Sequence, residues 1–186
     1  VKTIPRVYKS MQKRNLIGLS REELREVFKK VGVPERQINM RVKQLWNWIY
    51  FRGKRNFHEM TNLAKSLQNS LDENYQIEIP KIVKKDVSAD GTRKYLDRIL
   101  GLHEVEVVYI PEPGRGTLCI SSQVGCTLSC SFCHTGTQRL VRNLTSSEII
   151  GQVMLAKDDL DEWPSDSKTL EPKSRLLSNI VLMGMG

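Results

Sequence analysis

The first 79 residues carry apolar positions at the spacing of α-helices. Ser20 is a suitable N-cap for the first helix, and Glu23 three residues later completes a capping box. The apolar positions that follow fall on one helical face: Leu24, Val27, Phe28 and Val31. Two further apolar stripes occupy residues 35–52 and 61–74. We therefore predict a compact module of three helices over residues 1–79.

Two tryptophans of the second helix differ in their position relative to its apolar stripe. Trp46 lies on the stripe, so we expect it to be part of the core. Trp48 lies off the stripe, and the spacing leaves open whether this side chain is buried or exposed.

After residue 80 the pattern changes to the looser alternation of β-strands. Three strands are predicted, over residues 82–88, 93–100 and 105–110. Asp90 and Gly91 form a dipeptide that strongly favours a hairpin turn between the first two strands. Residues 80–115 are therefore expected to form a small antiparallel unit that links two domains.

Residues 116–186 predict a strand, a helix and a second strand. Thr145 caps the helix, and Glu148 closes its capping box. With strands at 117–121 and 179–183, this order predicts a parallel βαβ unit and an α/β fold. Because a parallel sheet needs cover on both faces, we expect this unit to begin a larger barrel, which further sequence or another chain completes.

Composition and charge fit a globular protein with an anionic partner. The 186 residues are 39% hydrophobic, and their net charge is +8. Basic residues concentrate in the first 55 positions and again between 81 and 98. Such a surplus favours nucleic acid. No apolar run is long enough to cross a membrane, so we expect a cytoplasmic protein without a membrane partner.

Three of the four cysteines have the spacing C-x3-C-x2-C: Cys126, Cys130 and Cys133. Three thiolates can hold three irons of a [4Fe–4S] cluster and leave the fourth iron open, since such clusters usually take four cysteines. A structural zinc site, which needs four ligands, and thiols without a metal remain alternatives. His134 is the only extra ligand nearby, and its position next to Cys133 suits a tetrahedral site poorly.

The chain resembles the bacterial RNA adenine C2-methyltransferases of the large-subunit rRNA methyltransferase N type, which are radical S-adenosylmethionine (SAM) enzymes. The matching segments are QLWNWIY (44–50), EMTNL (59–63), DGTRK (90–94), VYIPE (108–112), RGTLCISSQVGC (115–126), RNLT (142–145), EIIGQV (148–153) and VLMGMG (181–186). These segments cover most of the chain, and the long one before the cysteine loop is more specific than the cysteine spacing alone.

The resemblance implies a partial (βα)6 barrel, beginning in residues 116–186, behind a helical accessory domain that contacts RNA. It implies two cofactors, a [4Fe–4S] cluster and SAM, and a reaction through a methyl-cysteine and a 5′-deoxyadenosyl radical. The implied substrates are adenosines of 23S rRNA and tRNA, methylated at C2. It further implies an electron donor such as flavodoxin and a monomeric full-length protein.

The resemblance also assigns roles to individual residues. Cys126, Cys130 and Cys133 correspond to the cluster ligands. Cys119 corresponds to a thiol that forms a disulfide with the methyl-bearing cysteine and releases the product, and Glu106 to the base that removes the C2 proton. The residues that correspond to SAM contacts are Phe132, Gly184, Met185 and Gly186.

Simpler interpretations of two of these residues stay open. Cys119 also suits a small buried hydrophobic position on a strand, and Glu106 suits a solvent-facing strand position. The methyl-carrying cysteine of the family is absent from these 186 residues, so we expect the chain alone not to turn over. Alternatives for the whole chain are the C8-methylating sister enzyme, a zinc-bearing RNA-binding module without catalysis, and an inactive truncated product.

Overall fold

The computed structural model describes residues 13–99, 101, 103–128, 130–131, 133–164 and 175–186. The N-terminal part is helical, as the apolar stripes predicted. Its helices are α1 (Arg21–Lys30), α2 (Glu35–Trp46) and α3 (Lys65–Asn74), with a 3-10 turn at Phe57–Glu59. A short parallel pair, β1 (Arg14–Asn15) and β2 (Tyr75–Gln76), joins the two ends of this helical module.

The first helix begins where the capping box predicts. The Glu23 backbone N–H donates to Ser20 Oγ at 3.1 Å, and the Ser20 N–H donates to Glu23 Oε2 at 2.8 Å. These bonds satisfy backbone donors that have no partner inside the helix. Leu24, Val27 and Phe28 are consequently directed into the core of the module.

A π-helical turn, Asn47–Phe51, follows α2 directly. The wider turn changes the direction of the side chains, so the regular stripe no longer applies. Trp48 is buried, and its Nε1–H donates to Asn62 Oδ1 at 2.6 Å. Trp46 is only half-buried and packs at the edge of the core. Trp46 therefore packs against the core as expected, although it is not fully buried, and the open question about Trp48 is answered.

The C-terminal part is a five-stranded sheet in the order β3-β4-β5-β6-β9. Its strands are β3 (Lys81–Val87), β4 (Arg93–Arg98), β5 (Glu104–Glu112), β6 (Arg115–Cys119) and β9 (Asn179–Val181). The first three pairings are antiparallel, and β6 pairs with β9 in parallel. The hairpin and the parallel βαβ unit are thus both present, and they share one sheet. A small separate pair consists of β7 (Gln123–Val124) and β8 (Arg142–Asn143).

Helix α4 (Ser146–Asp159) covers one face of this sheet. Alternate strand residues are directed toward the helix and are buried, among them Tyr95, Val107 and Leu118. The other residues of the same strands stay half-exposed on the opposite face. We call that opposite side, defined by Leu96, Glu106, Val108, Thr117 and Cys119, the open face.

Two sets of polar contacts fasten α4 to the sheet. The Ser121 backbone N–H donates to Gln152 Oε1 at 2.9 Å, and Gln152 Nε2 donates back to the Ser121 carbonyl at 3.0 Å. Asp159, at the other end of the helix, accepts hydrogen bonds from Lys85, Arg93 and Tyr95. The hairpin is therefore tied to the helix across more than 60 residues of sequence.

The same helix also packs against the helical module. Met154 belongs to the core of that module, and Ile150 and Trp163 pack against it. Arg55 Nη1 lies 2.8 Å from Asp158 Oδ2. Since α4 contacts both the module and the sheet, it connects the two parts of the described chain. The predicted domain boundaries at 79/80 and 115/116 remain predictions.

Candidate active site

Two of the predicted catalytic residues lie on neighbouring strands of the open face. Cys119 pairs with Val108 in the β5–β6 register, and Glu106 lies two residues from Val108 on the same side of β5. The Glu106 carboxylate is 44% exposed, and its Oε1 lies 2.8 Å from Lys94 Nζ. Strand alternation therefore places both side chains on one surface, away from α4.

The Cys119 thiol is half-buried at the end of β6. Burial raises its pKa above the ordinary value, although the Met183 backbone N–H, which donates to the sulfur, acts in the opposite direction. A thiol in this state is mostly protonated near neutral pH, and the thiolate is the nucleophilic form. In the described residues Cys119 is therefore accessible but not activated.

The glycine segment after β9 packs against the chain that leaves β6. The Met185 backbone N–H donates to Ser121 Oγ at 2.8 Å, and the Gly184 N–H donates to the Ile120 carbonyl at 3.1 Å. A Cβ atom on Gly184 would lie 2.5 Å from Ser121 Oγ and 2.9 Å from the Ile120 carbonyl oxygen, so only glycine fits there.

Met185 and Gly186 continue this segment at the same end of the sheet. The Met185 side chain is buried with Val105 and Val124, so it serves the core. Its carbonyl accepts the Ser122 and Gln123 N–H groups. Any contact of Met185 with a cofactor would therefore have to come from its backbone.

The cysteine loop connects β7 to β8 and folds back on itself. The Cys126 N–H donates to the Gln138 carbonyl at 3.1 Å, and the Cys133 N–H donates to the Cys130 carbonyl at 3.1 Å. A 3-10 turn, His134–Thr137, follows Cys133 directly. Gly125 has a φ of +76° and lies against the Arg139 carbonyl, a conformation and a contact that exclude a side chain.

Backbone N–H groups are directed at two of the loop sulfurs. The Leu128 N–H donates to Cys126 Sγ at 3.3 Å. At Cys133, hydrogen bonds from the Gly136 and Thr135 backbone lower the pKa of the thiol, whereas burial and the Glu106 carboxylate act in the opposite direction. The electrostatic effect of Glu106 on Cys133 also indicates that the loop lies near the open face.

The chemistry of these donors fits an iron–sulfur cluster, because its ligands are thiolates and hydrogen bonds to their sulfurs stabilise the negative charge. All three cysteines are half-buried free thiols. Within the described part of the chain, no three His, Cys, Asp or Glu side chains stand close enough together to hold a metal ion. The loop therefore supplies suitable ligands that are not gathered into a finished site. Phe132 lies outside the described residues.

Arg142 and Glu148 anchor the far end of the cysteine loop, a role that the sequence analysis did not assign. Arg142 donates two hydrogen bonds to the buried Glu148 carboxylate, at 2.8 and 2.7 Å. Burial alone raises the pKa of Glu148, but the hydrogen bonds from Arg142 and Thr145 outweigh it and keep that pKa below its usual value. In the sequence, the feature that could have revealed this role is Arg142, which lies three residues before Thr145, the N-cap of α4.

Comparison with known proteins finds similar sequences over the whole chain. Residues 14–77 match the family model described as the ribosomal RNA large subunit methyltransferase N-terminal domain. The dual-specificity RNA methyltransferase RlmN of Dinoroseobacter shibae is 61% identical over 186 residues, which is 100% of this chain and 47% of that protein. The RlmN of Ruegeria sp. (strain TM1040) is 63% identical over the same shares of the two chains. The chain is therefore similar to RlmN proteins along its whole length, and residues 14–77 match the family's N-terminal domain.

A solved structure supports the same assignment. The crystal structure of a radical SAM methyltransferase from Sphaerobacter thermophilus has a TM-score of 0.76 and 35% sequence identity, over 93% of this chain and 47% of that one. The resemblance to this family and the mixed α/β fold are thereby confirmed. The chain spans about half the length of the RlmN relatives that it matches. No helix in the described part of the chain is long and apolar enough to span a membrane.

Proposed function

We propose that this chain is part of a radical SAM methyltransferase that methylates C2 of adenine in 23S rRNA and tRNA. One observation carries the proposal. The identity of 61–63% to proteins named dual-specificity RNA methyltransferases extends over the whole chain and therefore includes the cysteine loop and the open face.

Cys126, Cys130 and Cys133 would hold the [4Fe–4S] cluster, and the turn at Gly184 to Gly186 would approach SAM through its backbone. A cluster held there would supply the one-electron reduction of SAM on which radical SAM chemistry depends. Backbone hydrogen bonds lower the pKa of Cys133 and so favour its thiolate form, and the Leu128 N–H donates to Cys126 Sγ. A flavodoxin-like protein would supply the electron, and the cytoplasm is the compartment that keeps such thiols reduced.

Glu106 and Cys119 are assigned to the later steps. The Glu106 carboxylate would accept the C2 proton of the adenine, and its exposure on the open face leaves room for a base. Lys94 Nζ lies 2.8 Å from this carboxylate, and both side chains of the pair are exposed to solvent. After losing its proton, the Cys119 thiolate would attack the sulfur of the methyl-bearing cysteine, which lies outside these 186 residues. The sulfur–sulfur bond would form as the sulfur–carbon bond to the modified adenine breaks, and the carbon would leave with the electron pair and take up a proton as the product is released.

The hairpin contributes less to RNA binding than its charge alone predicts. Lys85 and Arg93 both form ion pairs with Asp159, at 2.7 and 2.6 Å. Among the described residues Lys84 forms an ion pair with Asp86 alone, and both of these side chains are well exposed. Since an exposed pair is weak, Lys84 can turn to a phosphate, whereas Lys85 and Arg93 hold the hairpin on α4. Reversing the charge of Lys84 should therefore weaken RNA binding, and reversing that of Arg93 should mainly destabilise the fold.

Anaerobic reconstitution with iron and sulfide tests the cluster. We expect the wild-type chain to bind iron and sulfide and to gain the broad visible absorption of a thiolate-ligated cluster. The variants Cys126→Ser, Cys130→Ser and Cys133→Ser should each lose it, and Cys119→Ser is the matched control that should retain it. Stoichiometric zinc without sulfide would instead support a non-catalytic module.

Mass spectrometry of digested RNA tests the reaction. RNA from cells that lack the gene is incubated with the full-length protein, SAM and a reductant, and the nucleosides are then analysed. We expect 2-methyladenosine, and Glu106→Gln should reduce its formation at least about tenfold if this carboxylate is the base. Formation of 8-methyladenosine would reject the C2 assignment.

A further inference from the structure

A recess on the helical module has the composition of a nucleotide-binding site. It is formed by α1, α2 and the π-helical turn, and its volume is about 360 Å³, within the range of ligand-binding clefts. Aromatic, basic and amide side chains line the recess. We call it the aromatic notch, and its residues are Arg21, Lys43, Trp46, Asn47, Tyr50 and Phe51.

Phe51 is the exposed aromatic side chain of the notch. It is the last residue of the π-helical turn, and 56% of it is exposed to solvent. π-helical turns are rare and are frequent at functional sites. The same turn buries Trp48 and leaves Phe51 outside, so Phe51 has no role in the core of the module.

The other two aromatic rings form a rigid wall of the notch. The ring centroids of Trp46 and Tyr50 are 4.5 Å apart, with an angle of 54° between the planes. The Tyr50 hydroxyl accepts the Gly18 backbone N–H at 2.9 Å, which holds the ring in place. The Arg21 guanidinium lies over the Trp46 ring, 5.0 Å from its centroid.

The notch carries positive charge that the rest of the module does not neutralise. Among the described residues, neither Arg21 nor Lys43 has a carboxylate within ion-pair distance. Other cations of the module do have one, including Arg25 with Glu35 at 2.9 Å and Lys54 with Glu59 at 2.8 Å. A flat apolar surface beside unpaired cations matches the two parts of a nucleotide, a base and a phosphate.

We propose that the aromatic notch binds one unpaired nucleotide of the RNA, with its base stacked on Phe51 and its phosphate near Arg21 and Lys43. This inference rests on the proposed function, because it takes RNA as the partner. The net charge of +8 and the exposed ring favour RNA over an acidic peptide, which would use the cations but would have no base to stack on Phe51. The notch would hold the RNA on the helical module, apart from the open face.

Binding of a tRNA transcript and of a short unstructured RNA, measured by fluorescence anisotropy at several salt concentrations, tests the notch. Phe51→Ala should weaken binding about tenfold and leave the salt dependence unchanged, since stacking releases no counterions. Arg21→Gln and Lys43→Gln should each weaken binding and reduce the slope of log K against log salt by about 0.7. Phe51→Trp should restore stacking, and Met40→Ala, an exposed apolar residue of α2 outside the notch, is the matched control.

The outcomes separate the notch from the proposed function. If Phe51→Ala binds RNA as well as Met40→Ala does, the notch is not a nucleotide site. If Phe51→Leu keeps the full affinity, the contact is apolar without stacking, and an acidic peptide or another protein becomes the better partner. If the chain assembles no cluster but still binds RNA through Phe51, the proposed chemistry is rejected and the proposal that the notch binds a nucleotide is kept. Circular dichroism of each variant checks that the module is folded.

Discussion

The two faces of the five-stranded sheet divide folding from chemistry. The face under α4 holds fully buried side chains such as Tyr95, Val107 and Leu118. The open face carries Glu106 and Cys119, and it lies near the cysteine loop. Because successive residues of a strand are directed to opposite sides of the sheet, the same strand supplies core side chains to one face and candidate catalytic side chains to the other.

Asp97 is the largest exception to this division between the two faces, because it places a carboxyl group on the face that α4 covers. It is fully buried in β4, its neighbours across the sheet are Ile82 and Val105, and neither of its carboxyl oxygens has a hydrogen-bond partner among the described residues. Burial raises the pKa of Asp97 to about 7. Since the unfolded chain titrates near the ordinary value, the folded state binds this proton more tightly than the unfolded state.

The stability contributed by protonated Asp97 should therefore be complete below about pH 4, fall as the pH rises toward 7, and level off above it. The loss is on the order of 4 kcal/mol. Urea unfolding of wild type and Asp97→Leu at several pH values measures it as the difference between the two curves. Asp86→Asn, which removes a carboxylate from the exposed strand β3, serves as the control. If the free energies of unfolding of wild type and Asp97→Leu change with pH in parallel, the pKa of Asp97 does not change on folding.

Val107 and Val108 provide a direct comparison of the two faces. They are adjacent in β5, and Val107 is buried under α4 whereas Val108 is half-exposed on the open face. Val107→Ala should lower the free energy of unfolding by about 2 kcal/mol, because it removes buried apolar surface and leaves a cavity. Val108→Ala should lower it by less than about 1 kcal/mol. Equal losses in urea titrations would mean that the open face is as well packed as the covered one.

Asp159 fastens the hairpin to the covered face. It accepts hydrogen bonds from Lys85, Arg93 and Tyr95 while it is largely buried. Asp159→Asn keeps the size of the side chain but removes the charge, and it should destabilise the fold by about 1–2 kcal/mol. Hydrogen exchange should increase in β3 and β4 and stay unchanged in α1, which serves as the internal control. An equal increase in hydrogen exchange across the whole chain would contradict the conclusion that Asp159 stabilises the hairpin locally.

Cys133 and Cys119 should differ in reactivity, although both are half-buried. Backbone hydrogen bonds lower the pKa of Cys133, and burial raises the pKa of Cys119. Near neutral pH, iodoacetamide should therefore modify Cys133 about tenfold faster, because the thiolate is the reactive form. The two rates should converge as the pH rises above 9. Peptide mass spectrometry of metal-free protein gives the rates, and faster modification of Cys119 would contradict this order.

Local patterns predicted most of the elements. The capping boxes of α1 and α4 were correct because they depend on residues three positions apart. The hairpin followed from Asp90-Gly91, and the parallel pairing of β6 with β9 followed from the order strand, helix, strand. Strand β9 is shorter than the strand predicted at 179–183, since it ends at Val181. The position of Trp48 was not predictable, because the stripe assumes a regular helix and Trp48 lies in the π-helical turn that breaks it.

Residue types and their spacing were enough to predict the helices, the strands, the cysteine loop and the resemblance to known methyltransferases, because these depend on short-range patterns and on matching segments. The folded structure was needed to show that Glu106 and Cys119 share one face, that Asp159 holds the hairpin, and that the Met185 side chain belongs to the core. These outcomes depend on strand register and on contacts between residues far apart in the chain. Periodicity assigns a residue to one side of its own element, and packing decides which other residues meet it there.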